Sequence, residues 1–83
     1  MTQRDFGQRL RDIRKQRGLT QGALALQVGY TSASPISKIE KGEVDVPLSV
    51  ILRLAKVLDV PVSVFFHDPA LPTIALARDF VSG

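Results

Sequence analysis

The sequence predicts an all-α fold: a compact domain of five short helices followed by a short C-terminal extension. Three observations carry that expectation. Apolar residues recur every three or four positions from Phe6 to Leu58, the spacing that gathers them on one face of a helix. Glycines and prolines at positions 18, 29, 42, 47 and 61 cut the pattern into short pieces, as helix stops and starts do. No segment in residues 1 to 66 alternates apolar and polar residues as a half-buried strand would.

Each element follows in turn. Phe6, Leu10 and Ile13 fall at i, i+4 and i+7 and put one apolar stripe on a first helix of about residues 3 to 16, which Gly18 closes. Thr20 is a good N-cap for a second helix, with Leu24, Ala25 and Val28 facing inward, and Gly29 supplies the backbone freedom of a sharp turn. The third helix, expected as a rigid rod over 32 to 41, turns Ile36 and Ile39 inward and ends at Gly42 as a left-handed cap. Pro47 begins the fourth, where its missing N–H costs nothing, and Leu48, Ile51, Leu52, Ala55 and Leu58 form its apolar face. After Asp59-Val60-Pro61, a short fifth helix brings Val62, Phe65 and Phe66 onto the same core and is expected to leave Val64 exposed, as part of a dimer surface shared with the apolar tail. The domain is expected to span residues 1–66, with 67–83 as an extension: a linker over 67 to 72, then an apolar tail, Ile74 to Val81. Two accounts of that tail stand side by side: it covers an apolar surface on a second copy of the chain, or it folds back on its own core.

Composition narrows the functions. With 83 residues, 45% of them hydrophobic, there is enough for one domain with one modest core, and no room for a second is expected. The absence of cysteine excludes disulfides and thiolate metal sites, and a lone histidine, His67, argues against structural zinc, so no metal or other cofactor is expected. No paired carboxylates in a plausible pocket, no Ser/His/Asp set and no glycine-rich phosphate loop stand out, so the chain is not expected to be an enzyme. The N-terminal residues lack the apolar run of a secretion signal, and no stretch approaches the roughly 20 apolar residues of a membrane span. The expectation is a soluble, cytoplasmic protein with no membrane partner.

The net charge of +3 is unevenly spread. Residues 1 to 17 hold Arg4, Arg9, Arg11, Arg14, Lys15 and Arg17 against Asp5 and Asp12, a net +4, leaving −1 for the remainder. Such a field suits a polyanion such as nucleic acid, although a solvated basic helix face has the same composition.

Ordered along the chain are Arg14, Gly18-Leu19-Thr20-Gln21, Leu24-Ala25, Gly29, Ile36-Ser37, Ile39-Glu40, Gly42 and Leu52-Arg53-Leu54-Ala55-Lys56. With this set, residues 6 to 66 resemble the phage-repressor type of helix-turn-helix domain, the Cro/repressor-like or XRE family. The resemblance implies a lambda-repressor-like arrangement of five helices, the second and third forming the unit that binds double-stranded DNA in the major groove. It further implies a transcription regulator, expected to be a repressor working as a homodimer, with phage repressors, restriction-modification controllers and stress regulators among its relatives. A reading of another class is an antitoxin-type interaction module, whose tail masks a toxin partner while the helix-turn-helix autoregulates the operon.

The candidate DNA-binding residues are Thr20, Gln21, Ser32, Ala33, Ser34, Ser37, Lys38 and Lys41. Thr20 and Gln21 open the second helix, where free N–H groups and the positive end of the helix dipole suit a phosphate; Thr20 serves equally as a plain N-cap. The resemblance assigns base reading to Ala33, Ser34, Ser37 and Lys38. A lysine donates to guanine O6 and N7, serines meet bases or phosphates, and an alanine touches a thymine methyl. Lys41, near the helix end, suits a phosphate. The resemblance also pairs Arg14 with Glu40 as a structural tie between the first and third helices.

Three departures from the family pattern matter. One residue more than the commonest spacing separates Gly29 from Ile36, which leaves the start of the third helix, and with it Ser32, Ala33 and Ser34, open. Pro35 disfavours a helical Ser34 and moves that serine toward the N-cap. Glu43 and Asp45 follow the helix where a basic residue would help hold a phosphate, which predicts a weaker grip there or a loop turned away from DNA.

Overall fold

The computed structural model describes residues 2–66, so the linker and tail expected over 67–83 lie outside the described residues. Four α-helices follow one another, α1 (Gln3–Gln16), α2 (Gln21–Val28), α3 (Ser34–Glu40) and α4 (Leu48–Leu58), and a 3-10 helix spans Val62–Phe65. The described residues contain no strand. The expected fifth α-helix is therefore a single 3-10 turn. Four residues after Pro61 are too few to repay helix nucleation, and the tighter winding eclipses Val62 with Phe65 on one side. Phe65 is fully buried, while Phe66, also expected inside, is 49% exposed just past the turn.

α1 begins with a reciprocal cap. The Thr2 hydroxyl accepts from the Asp5 N–H at 3.1 Å, and the Asp5 carboxylate accepts from the Thr2 N–H at 3.0 Å. Hydrogen bonds from Thr2, the backbone first and the side chain next, hold the Asp5 carboxyl below its ordinary pKa. α2 opens on the Thr20 cap, whose hydroxyl accepts from the Ala23 N–H at 3.0 Å, and it closes on Gly29 at φ +105°. A side chain at that φ is strained, so the turn into α3 depends on glycine for its backbone angle. α3 is followed by Gly42 in the expected left-handed conformation, φ +74°. Pro47 is the N-cap of α4 and stands just outside the helix it was expected to begin.

The core gathers Phe6 and Leu10 of α1, Leu24, Ala25 and Val28 of α2, Ile36 and Ile39 of α3, and Ile51, Leu54, Ala55 and Leu58 of α4, closed by Phe65. Phe65 lies against Phe6 with ring centroids 5.1 Å apart. The inward face of α4 differs from expectation. Leu54 is buried, whereas Leu48 and Leu52 are 63% and 50% exposed. Only Ser49, Arg53 and Lys56 are polar in this helix, so more than half its circumference is apolar and periodicity alone selects no face. Val64, expected on the surface, is half-buried against the core.

α1 crosses α3 with almost nothing between them. A Cβ on Gly7 would lie 2.6 Å from the Glu40 carbonyl oxygen and closer still to that of Ile39, so the two backbones are in direct contact. Gly7→Ala is expected to force them apart and to cost about 1–3 kcal/mol, the usual range for overpacking, measured by denaturant unfolding. Asp5 carries the second expectation. Its pKa is depressed by folding, so its contribution to the α1 cap is present at neutral pH and is lost as the pH falls through the depressed value. An NMR titration should show Asp5 titrating below ordinary aspartates, with the Thr2 amide shift following the same curve.

Candidate nucleic-acid interface

α3 is short, seven residues, and its inner side is fixed by two buried isoleucines, Ile36 and Ile39. Its outer side carries Ser34, Lys38 and Lys41, all exposed and spaced i, i+4 and i+7, a single ridge along the helix. Ser37 is half-buried on the flank of that ridge, one turn from Lys41. Ser32 and Ala33 do not belong to the rod expected over 32 to 41. They lie in the bend that leads into α3, Ser32 exposed and Ala33 half-buried as the N-cap residue. Ser34 is the first helical residue and makes no capping hydrogen bond, contrary to the expected shift toward the cap. Pro35 sits in the first turn, where no N–H has an intrahelical partner to lose, and the additional residue before Ile36 is taken up by the bend at 31–33.

One polar cluster orients this ridge. Arg14, on α1, donates from Nε to Glu40 Oε2 at 2.7 Å, from Nη2 to Glu40 Oε1 at 3.1 Å and from Nη1 to the Leu19 carbonyl at 2.8 Å. Gln21, the first residue of α2, donates from Nε2 to the same Glu40 Oε1 at 3.0 Å. The Arg14 and Glu40 side chains are only 9% and 4% exposed. Arg14 and Gln21 thus bring α1 and the start of α2 onto the Glu40 carboxylate at the end of α3, and the same guanidinium ties in the α1–α2 turn through the Leu19 carbonyl. The forked geometry fixes both ends of the pair and so the angle of α3.

Thr20 and Gln21 sit beside this cluster. The Thr20 hydroxyl is occupied as a cap, and one Gln21 amide hydrogen is committed to Glu40. The second amide hydrogen and the Gln21 and Gly22 N–H groups remain as donors at the helix end, the Ala23 N–H being taken by the Thr20 cap.

Two depressions flank the ridge. On one side, between α1, α2 and α3, a cleft of about 350 Å³ is lined by Arg11, Arg14, Gln21, Ser37, Glu40 and Lys41. On the other, between α3 and the α3–α4 loop, one of about 390 Å³ brings together Tyr30, Ser32, Ser34, Lys38, Val44 and Asp45. Asp45 also accepts a hydrogen bond from the Gln3 side chain, which holds that loop against the start of α1. The structure therefore assembles Gln21, Ser37 and Lys41 around one depression and Ser32, Ser34 and Lys38 around the other. Arg11 lines the first although the sequence singled it out only as part of a basic segment; its i−3 spacing from Arg14 was the available signal.

Glu40 and Arg14 are placed as a structural pair. Glu40→Ala is expected to lower stability by about 3–5 kcal/mol, because it leaves a buried guanidinium unpaired. Replacing both residues with Met and Leu should recover most of that loss, a comparison accessible by urea denaturation.

Among the described residues, no group of three His, Cys, Asp or Glu side chains is placed to hold a metal, and no helix is long and apolar enough to cross a membrane.

Comparison with known proteins agrees with this geometry. The family model described as "Helix-turn-helix domain" (HTH_31) matches residues 5–64. The HTH-type transcriptional regulator PuuR of Escherichia coli is 41% identical over 66 residues, covering 80% of this chain and 35% of PuuR. The uncharacterized HTH-type transcriptional regulator RghRB of Bacillus subtilis is 49% identical over 57 residues, 68% of this chain and 40% of RghRB. The chain thus spans little more than a third of the length of these relatives. Among solved structures, the restriction-modification controller protein C.AhdI of Aeromonas hydrophila is 39% identical with a TM-score of 0.73, covering 77% of this chain and 91% of the controller. An HTH_3 family transcriptional regulator of Vibrio cholerae is 30% identical with a TM-score of 0.71, over 80% of this chain and 36% of that one. With the exposed ridge of α3, its ion-pair brace and a family match running from Asp5 to Val64, this chain belongs to the helix-turn-helix domain family, as a DNA-binding domain of the XRE type.

Proposed function

We propose that the protein is a sequence-specific regulator of transcription that binds double-stranded DNA as a homodimer and represses. The observation that carries this reading is the exposed Ser34, Lys38 and Lys41 ridge, backed by buried Ile36 and Ile39 and fixed in angle by Arg14 and Glu40. α3 lies in the major groove with Lys38 donating to a guanine edge and Ser34 beside it. Thr20 and Gln21 at the start of α2, with Lys41, hold the phosphate backbone. Ser32 and Ala33 enter the groove ahead of α3, from the bend. Among the roles open to the family, that of a restriction-modification controller is supported by the likeness to C.AhdI.

One helix of seven residues reads few base pairs, so useful affinity calls for two copies on half-sites about 34 Å apart. Val64 is too buried to lead the dimer contact, and exposed Leu48, Leu52 and Phe66 take its place in this reading. Residues 67–83 act as the dimerisation element beyond a domain of residues 1–66.

Selection of bound duplexes from a random pool tests the central claim. Lys38→Ala should relax preference at one base of each half-site by about 1–3 kcal/mol, whereas Gln21→Ala should weaken all sequences alike. Identical behaviour of the two variants contradicts this division of roles. For assembly, sedimentation should give a dimer for the full chain and a monomer for Leu52→Asp; a monomeric full chain at micromolar concentration rejects the homodimer.

A further inference from the structure

We infer that the cleft between α1, α2 and α3 seats one phosphodiester of the DNA backbone, with Arg11 on α1 as its clamp. The inference rests on the DNA-binding reading above and extends it to a helix outside the helix-turn-helix unit. Six side chains line the cleft, three of them cationic: Arg11, Arg14 and Lys41. Arg14 is spent, with two donor nitrogens on Glu40 and a third on the Leu19 carbonyl. Its charge is cancelled by the one carboxylate in the cleft.

Arg11 and Lys41 remain. Both are exposed, they come from different helices, and neither side chain has a hydrogen bond or ion pair among the described residues. Two uncompensated cations facing a shared cleft repel each other unless an anion lies between them. Ser37, also lining the cleft, adds a hydroxyl, and Gln21 adds the amide hydrogen that Glu40 leaves over. Two cations and two neutral donors match a singly charged group with two non-bridging oxygens, for which a guanidinium supplies the fitting fork. The cleft adjoins the base-reading ridge through Ser37 and Lys41, where a duplex seated on α3 runs its backbone.

The depression on the other side of α3 has no such excess of positive charge. Lys38 is its one cation among the lining residues, Asp45 shares its wall, and Glu43 is exposed nearby. A phosphate is favoured on the Arg11 side and meets no net positive charge on the Asp45 side, so the backbone grip of each copy is lopsided.

The test uses the full-length chain and one duplex recovered from the random pool, with affinity followed against salt. Removing one phosphate contact lowers the magnitude of the log–log slope by about 0.9 for each Arg11 lost from the complex. Arg11→Gln should show that drop, with base preference and melting temperature unchanged. Arg11→Lys should restore most of the slope, and Lys56→Gln, an equal loss of charge on α4, should leave it at the wild-type value. A wild-type slope in Arg11→Gln, or an equal drop in Lys56→Gln, overturns the clamp while the DNA-binding reading stands. If the wild-type chain shows no salt-dependent affinity for any duplex, that reading fails and the clamp with it.

Discussion

The placement of α3 depends on the ion pair between Arg14 and Glu40. Seven residues are too few to form a helix in water unaided, and α3 has only two fully inward side chains to hold it. What sets its direction is a carboxylate near its C-terminal end, gripped from α1 by a guanidinium and from α2 by the Gln21 amide. Both charges are nearly excluded from solvent, and a pair in that position is weak support for stability as such. Its value here is geometric. A fork meeting a fork tolerates little rotation, and the same guanidinium pins the Leu19 carbonyl just before the α2 cap.

The backbone contact at Gly7 belongs to the same arrangement. α1 carries the guanidinium that α3 needs, and it can approach closely enough only because no side chain intervenes at the crossing. The pair and the glycine therefore impose one distance by two means. Exposed Lys38 and Lys41 contribute nothing to it, which leaves the outer face of α3 free to vary without loss of the fold.

Most of this was legible in the sequence, and the exceptions have physical causes. The first two helices followed from Phe6, Leu10 and Ile13 and from the Thr20 cap, because each has one apolar stripe and clear end signals. α4 was placed correctly and Ile51, Ala55 and Leu58 face inward as expected, but Leu48 and Leu52 do not: with apolar residues at eight of its eleven positions, Leu52 and Leu54 compete for the inside, and only neighbouring helices decide. The last helix was overestimated because Val62, Phe65 and Phe66 suit an α-helical stripe, whereas the segment is long enough for a single tighter turn. The start of α3 was misjudged at Ser34. The preference of a residue before proline against helical angles is real but small, and the buried Ile36 outweighed it. Of the interface, the ion pair was legible through family likeness alone, since nothing local to Arg14 or Glu40 announces a partner 26 residues away. The flanking depressions were not legible, because each is made by segments distant in sequence.

The two flanks of α3 differ in charge, with Arg11 and Lys41 uncompensated on one side and Lys38 balanced by Asp45 on the other. Across the width of a single helix this amounts to an electric dipole lying transverse to its axis. In the field of a polyanionic rod such a dipole experiences a torque before any contact is made, so the approaching molecule is rolled into one preferred orientation. Fewer collisions are then wasted on the wrong face, and the advantage fades as the ionic atmosphere contracts below the molecular width.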